Sequence, residues 1–229
     1  MCGRYAATAG VDELVEAFDL DLVTDDGRAA CLPRWNVAPM SDVPAVVERL
    51  VDGVVVRKLV GLRWGLVPNW AKDQRDGARM VNARFETVAT KPAFRKAFAS
   101  RRCILPALGY YEWRAETDEG RVVKQPYFLS PADRSILPMA GIYEFWRGPE
   151  GWLATCSIIT TAASDETGWV HDRMPMTTTD PASWLDPNLT DPAAVSGLLV
   201  PPAGLGVRRV SREVNRAGNE GPQLVAEVS

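Results

Sequence analysis

Two apolar runs, residues 43–50 and 54–60, flank Asp52-Gly53, and this pattern constrains the fold more than any other in the chain. Asp-Gly between two apolar segments predicts a tight antiparallel hairpin. Further strand candidates lie at 102–113, 125–130, 136–145, 153–161 and 206–210, with a turn around Asp118–Gly120. Helical spacing is confined to short stretches. Val11–Phe18 has apolar residues at 11, 14, 15 and 18. Pro92–Phe98 reads as a short helix opened by its proline, and Ala193–Val200 as another. Pro33–Pro39 is too proline-rich for a helix and reads as a fixed irregular segment. No βαβ rhythm, glycine-rich phosphate loop or internal repeat is present. The expected class is α+β, one domain of mainly antiparallel strands, with a loosely held tail from Ala217.

The 229 residues suffice for a sizeable core. No run approaches 18 apolar residues, and MCGRYA carries no apolar signal segment, so a soluble, cytoplasmic protein is expected. Cys2, Cys31, Cys103 and Cys156 lie 29, 72 and 53 residues apart, which fits neither a disulfide framework nor a metal knuckle. With one histidine besides, neither a metal nor a cofactor is expected. Charge is unevenly distributed. Residues 57–102 hold twelve Lys or Arg against Asp73, Asp76 and Glu86, a net of +9 in a chain of net −3. The basic residues are 21 Arg to five Lys, which favours bidentate phosphate contacts. A basic face for a polyanion is therefore expected, the alternative being a solvated surface.

Cys2 stands where removal of Met1 would leave a thiol beside a free α-amine. That amine has a reference pKa near 8, about two units below lysine, so a useful fraction is neutral at pH 7. A neutral amine can form a Schiff base with an aldehyde, and the thiol can close the imine into a five-membered thiazolidine. The plainer reading is a position that merely tolerates a small residue. His171, the single histidine, could transfer protons near neutral pH or serve structurally. Glu112 in GYYEW, between aromatic residues at a strand end, suits a general acid of raised pKa, and Glu144 in IYEFW has the same look. Asn82 and Arg84 in VNARFE share one face if that segment is extended. Trp35, Trp64, Trp70 and Phe85, set among arginines, could be core residues or stacking platforms for bases.

Eight blocks, in order, resemble the SOS response-associated peptidase (SRAP) family. They are MCGRYA (1–6), RWNVAPMSDVPAV (34–46), RWGLVPNWAKD (63–73), NARFETVATKPAFRKAF (82–98), RRCILPALGYYEW (101–113), MAGIYEFW (139–146), CSIITTAA (156–163) and VHDRMPM (170–176). The resemblance implies a compact domain around a curved, barrel-like sheet with short flanking helices. It implies covalent shielding of abasic sites in single-stranded DNA by a monomer, through a thiazolidine crosslink at Cys2 after Met1 removal, which can be autoproteolytic. Asn82, Glu112 and His171 would complete the catalytic group. Arg4, Arg84 and Arg173 would hold phosphates, and Asn36, Pro39, Trp64 and Trp70 would belong to the DNA-facing surface.

Three positions depart from the family pattern. Leu108 replaces a usual acid, Phe85 a small polar residue, and Asp172 a frequent second histidine. Leu108 and Phe85 would alter the shape of the DNA path, and Asp172 would raise the His171 pKa. Two other activities remain open: a cysteine protease with Cys2 as nucleophile and His171 as base, and a non-catalytic single-strand binder.

Overall fold

The 43–60 hairpin is the start of a closed ring of strands. In the computed structural model, which describes residues 2–164 and 166–228, Asp42–Val51 pairs antiparallel with Val54–Trp64. Asp52 and Gly53 both adopt positive φ, 50° and 82°, as a two-residue hairpin turn of this hand requires. Asp42–Val51 then pairs with Arg102–Ala107, that strand with Leu137–Gly148, and that in turn with Gly151–Ala162. A short parallel contact of Thr155 and Cys156 with Arg63 and Trp64 returns to the first hairpin and closes a five-stranded barrel. Closure removes the unpaired edges that so long a hairpin would otherwise expose.

Strand alternation divides the core in two. Val43, Leu62, Leu105, Met139 and Ile158 share one buried cluster with Tyr5 and Tyr110. Val46, Leu59, Ile104 and Ile142 point the other way, under helices Val11–Phe18, Arg95–Ser100 and Pro181–Leu185. Gly141 lies on the first side, where a Cβ would collide with Leu105 and crowd the Cys103 sulfur.

A second sheet runs Leu205–Arg209, Arg121–Pro131, Gly109–Asp118, Tyr5–Ala7, Arg34–Val37. Its last strand corrects the irregular reading of 33–39: the prolines stand outside residues 34–37, which pair with Tyr5–Ala7. The single strand expected at 102–113 is two strands in two different sheets, parted at Leu108. The Leu108 N–H donates to Ala6 O, and the absence of a Cβ at Gly109 allows close approach to Leu129 and Phe128. That change of sheet carries Glu112 out of the barrel wall and beside the N-terminal strand.

The helix expected to open at Pro92 begins at Arg95, because residues 91–94 first form a turn. Residues 217–228 are anchored rather than loose. Leu224 is fully buried, Val228 N–H donates to Arg209 O, and Glu220 accepts from Trp35 N–H. No helix of the described residues is long and apolar enough to cross a membrane.

Candidate functional site

Cys2 is wholly buried just ahead of the Tyr5–Ala7 strand, among the residues of the first core cluster. Burial pushes its thiol well above the usual cysteine range, and the nearby Glu112 carboxylate adds to the effect. The side chain is therefore a thiol rather than a thiolate. Asn82 Nδ2 donates to the Cys2 carbonyl at 2.8 Å. Asn82 is placed by the short strand Asn82–Arg84, which runs parallel to residues 158–160 at the barrel wall. Its Oδ1 is buried and has no hydrogen-bond partner among the described residues. The extended segment alternates as the sequence predicts: Ala83 faces the core, Asn82 is half-buried and Arg84 is exposed.

Glu112 is 2 % exposed, and burial raises its carboxyl to about 7. Its Oε2 stands 3.9 Å from His171 Nε2. Glu144, the other candidate acid, instead forms an ion pair with Arg101 at 2.7 Å.

His171 Nδ1 has two neighbours that it cannot serve at once. The Arg173 N–H donates to it at 3.1 Å, which requires a bare nitrogen, while Asp172 Oδ1 at 2.9 Å requires a proton there. The neutral ring thus turns its Nε2 proton toward Glu112, and the charged ring engages Asp172. Burial lowers the His171 pKa, and the Asp172 contribution in the opposite direction does not overcome it. Asp172 thus acts in the expected upward direction, but burial outweighs it. With a single histidine in the chain, one imidazole proton resonance reports this directly by NMR. Its midpoint should lie below 6.5 and fall further in D172N. A midpoint unchanged by D172N would show that the contact has no electrostatic effect.

Glu112 and His171 border a cleft of about 620 Å³ shared with Arg4, Trp113, Ala115, Lys124 and Asn215. Arg4 lies over the Trp113 ring at 6.0 Å, and Trp113 Nε1 donates to Asn215 Oδ1 at 2.7 Å. Sequence reasoning missed Trp113, Lys124 and Asn215. Strand alternation would have set Trp113 on the face opposite Glu112, and nothing local marks Asn215. A cavity of similar size against Arg34, Met40, Asp42 and Arg63 contains none of the proposed catalytic groups.

Other expected DNA-facing residues are placed differently. Asn36 is fully buried: it accepts from Arg4 and donates to the carbonyls of Val214, Arg216 and Asn219, tying down the C-terminal segment. Trp64 is also fully buried, edge-on to Tyr5 at 5.1 Å, with its Nε1 bonded to Val81 O. Both belong to the core rather than to a DNA-facing surface, because each satisfies its polar atoms inside the protein. Pro39 is half-buried. Trp70 is 62 % exposed, in a loop pinned where Trp146 Nε1 donates to Ala71 O. Arg173 is bound to Glu86.

The basic stretch also divides. Arg57, Arg63, Arg75 and Arg101 pair with acids and Arg102 is buried, while Lys72, Arg79, Arg84, Lys91, Arg95 and Lys96 stay exposed.

A closed barrel with a flanking sheet, and a cleft bordered by a carboxyl and an imidazole near a buried cysteine at position 2, define a small barrel-based domain with two titratable side chains in one cleft. The SOS response associated peptidase (SRAP) family model matches residues 1–217, and the chain belongs to that family. An abasic site processing protein of Bacillus subtilis is 38 % identical over 230 residues, covering 98 % of this chain and 99 % of its own. One of Escherichia coli is 32 % identical over 242 residues and covers all of both chains. A solved Bacteroides thetaiotaomicron protein superposes with a TM-score of 0.83 at 25 % identity, covering all of both chains.

Proposed function

We propose that the protein processes abasic sites in single-stranded DNA, acting as a monomer and capturing the lesion covalently through Cys2 after Met1 is removed. The observation that carries this reading is a buried cysteine at position 2 beside a carboxyl whose pKa burial brings to about 7. While Met1 is attached, the Cys2 nitrogen is an amide and cannot attack. Once freed, the neutral amine adds to the C1′ aldehyde of the ring-opened deoxyribose. Glu112 then protonates the carbinolamine hydroxyl, water leaves, and an iminium forms. The thiol returns its proton to the Glu112 carboxylate as sulfur bonds to the iminium carbon. The net change is a thiazolidine and one water.

A thiol held protonated by burial favours this order, in which the amine acts first, over a protease that needs a ready thiolate. Asn82 fixes the Cys2 backbone through its carbonyl. His171 moves the proton that opens the sugar ring and, in reverse, helps release the crosslink. The exposed Arg84 and Trp70 supply a phosphate contact and a stacking surface.

Processed protein mixed with single-stranded DNA carrying one abasic site should give a heat-stable adduct that C2A abolishes. No adduct from correctly processed protein would overturn the reading.

A further inference from the structure

The Arg173 guanidinium already holds an anion, and the anion is the protein's own. Nη1 and Nη2 lie 2.5 and 3.0 Å from the two carboxylate oxygens of Glu86. Nη2 also donates to Thr160 O at 2.6 Å and approaches Thr160 Oγ1 at 3.3 Å. The two partners are held unequally. The Arg173 side chain is 13 % exposed and bonded to the barrel backbone, whereas Glu86 is 47 % exposed on the four-residue helix Phe85–Val88. Without Glu86, Thr160 would still orient the arginine. Without Arg173, the carboxylate would simply face water. Arg84, two residues away and exposed, acts on the same carboxylate, which these charges hold below its usual range.

Two oxygens of one anion gripped side by side by guanidinium is the geometry by which arginine takes either a carboxylate or a phosphate. We propose that Glu86 is a placeholder whose carboxylate fills the seat between Arg84 and Arg173 that a DNA phosphate takes on binding. An ion pair with one half-exposed member is weak enough to exchange. The displaced carboxylate turns to solvent, where it opposes the incoming polyanion and recaptures a counterion. Glu86 thus weakens general affinity for DNA while keeping Arg173 ordered in the free protein. The inference rests on the reading of this protein as a DNA-binding one, but not on the covalent step.

The test measures binding of fluorescent single-stranded DNA without an abasic site, by anisotropy across a salt series. E86Q should bind several-fold tighter than the parent. Its slope of log affinity against log salt should be steeper by about 0.7, the value of one added single-strand phosphate contact. In an R173Q background the gain from E86Q should vanish, which separates a vacated seat from a general loss of negative charge. Weaker or unchanged binding by E86Q with the parent slope would overturn the proposal, as would a gain that persists in R173Q. If R173Q does not fold, the E86Q salt slope alone decides. A parent that binds this DNA but forms no adduct with abasic DNA would refute the covalent reading only.

Discussion

Glu112→Gln should slow adduct formation with abasic single-stranded DNA by about 10²- to 10⁴-fold, the range lost with a positioned acid–base group. Glutamine keeps the shape of the side chain but can neither give nor take the proton. A carboxyl at about 7 is present in both forms at neutral pH, which suits a group asked to protonate a hydroxyl and then accept from a thiol. The same substitution should stabilise the fold under alkaline conditions. The carboxyl is raised from 4.5 to about 7, so its favourable contribution is complete below pH 4.5 and is lost as pH rises through 7. That loss is about 3 kcal/mol, and E112Q avoids it. Denaturant titrations at pH 5 and pH 8 should therefore show a small advantage of the variant at pH 5 that grows to nearly its full size at pH 8. A variant that crosslinks at the parental rate would remove Glu112 from the chemistry.

Arg102→Ala should be among the most destabilising substitutions in the chain, costing about 3–5 kcal/mol, as expected when several buried carbonyls lose their shared donor and a large buried side chain is cut away. The guanidinium is 2 % exposed and donates to the carbonyls of Phe98, Ala99, Trp184, Asp186 and Leu189. Phe98 and Ala99 are among the last carbonyls of helix Arg95–Ser100, and Trp184 and Asp186 end Pro181–Leu185, groups that a helix cannot satisfy itself, while Leu189 lies in the turn beyond. The charge also lies 5.6 Å over the Trp184 ring. Removing it strands the Phe98, Ala99, Trp184 and Leu189 carbonyls and a ring face at once, while Asp186 O keeps the Leu189 N–H. Equilibrium urea unfolding of R102A against R101A checks this. Arg101 is a quarter exposed and contacts chiefly Glu144, so its loss should cost far less.

Arg102 also shows where sequence reading reaches its limit. As one of twelve basic residues between 57 and 102 it contributes to an expected DNA face, yet it caps two helices inside the protein. Local charge counts cannot tell a solvated guanidinium from one facing carbonyls 80 residues away. The Asp52-Gly53 hairpin was legible because its turn chemistry and apolar runs are contiguous. The Val11–Phe18 helix was legible for the same reason, since its apolar stripe is complete in eight residues. The break at Leu108 was not, because it depends on Ala6 O accepting from Leu108 and on Phe128 and Leu129 crowding Gly109 from another strand. At the site, Asn82, Glu112 and His171 could be nominated from their types and neighbours. Asn36 and Trp64 were assigned to a DNA-facing surface by the family resemblance alone, whereas their partners lie in the C-terminal segment and at Tyr5 and Val81. Asn215 reaches the cleft only through the final packing of that same segment.

The intact mass of the isolated adduct tests the role of Cys2 most directly. It should equal that of the chain without Met1 plus the abasic oligonucleotide less one water, with the DNA-bearing peptide beginning at Cys2. An adduct that retains Met1, or one attached at any residue other than Cys2, would contradict the account.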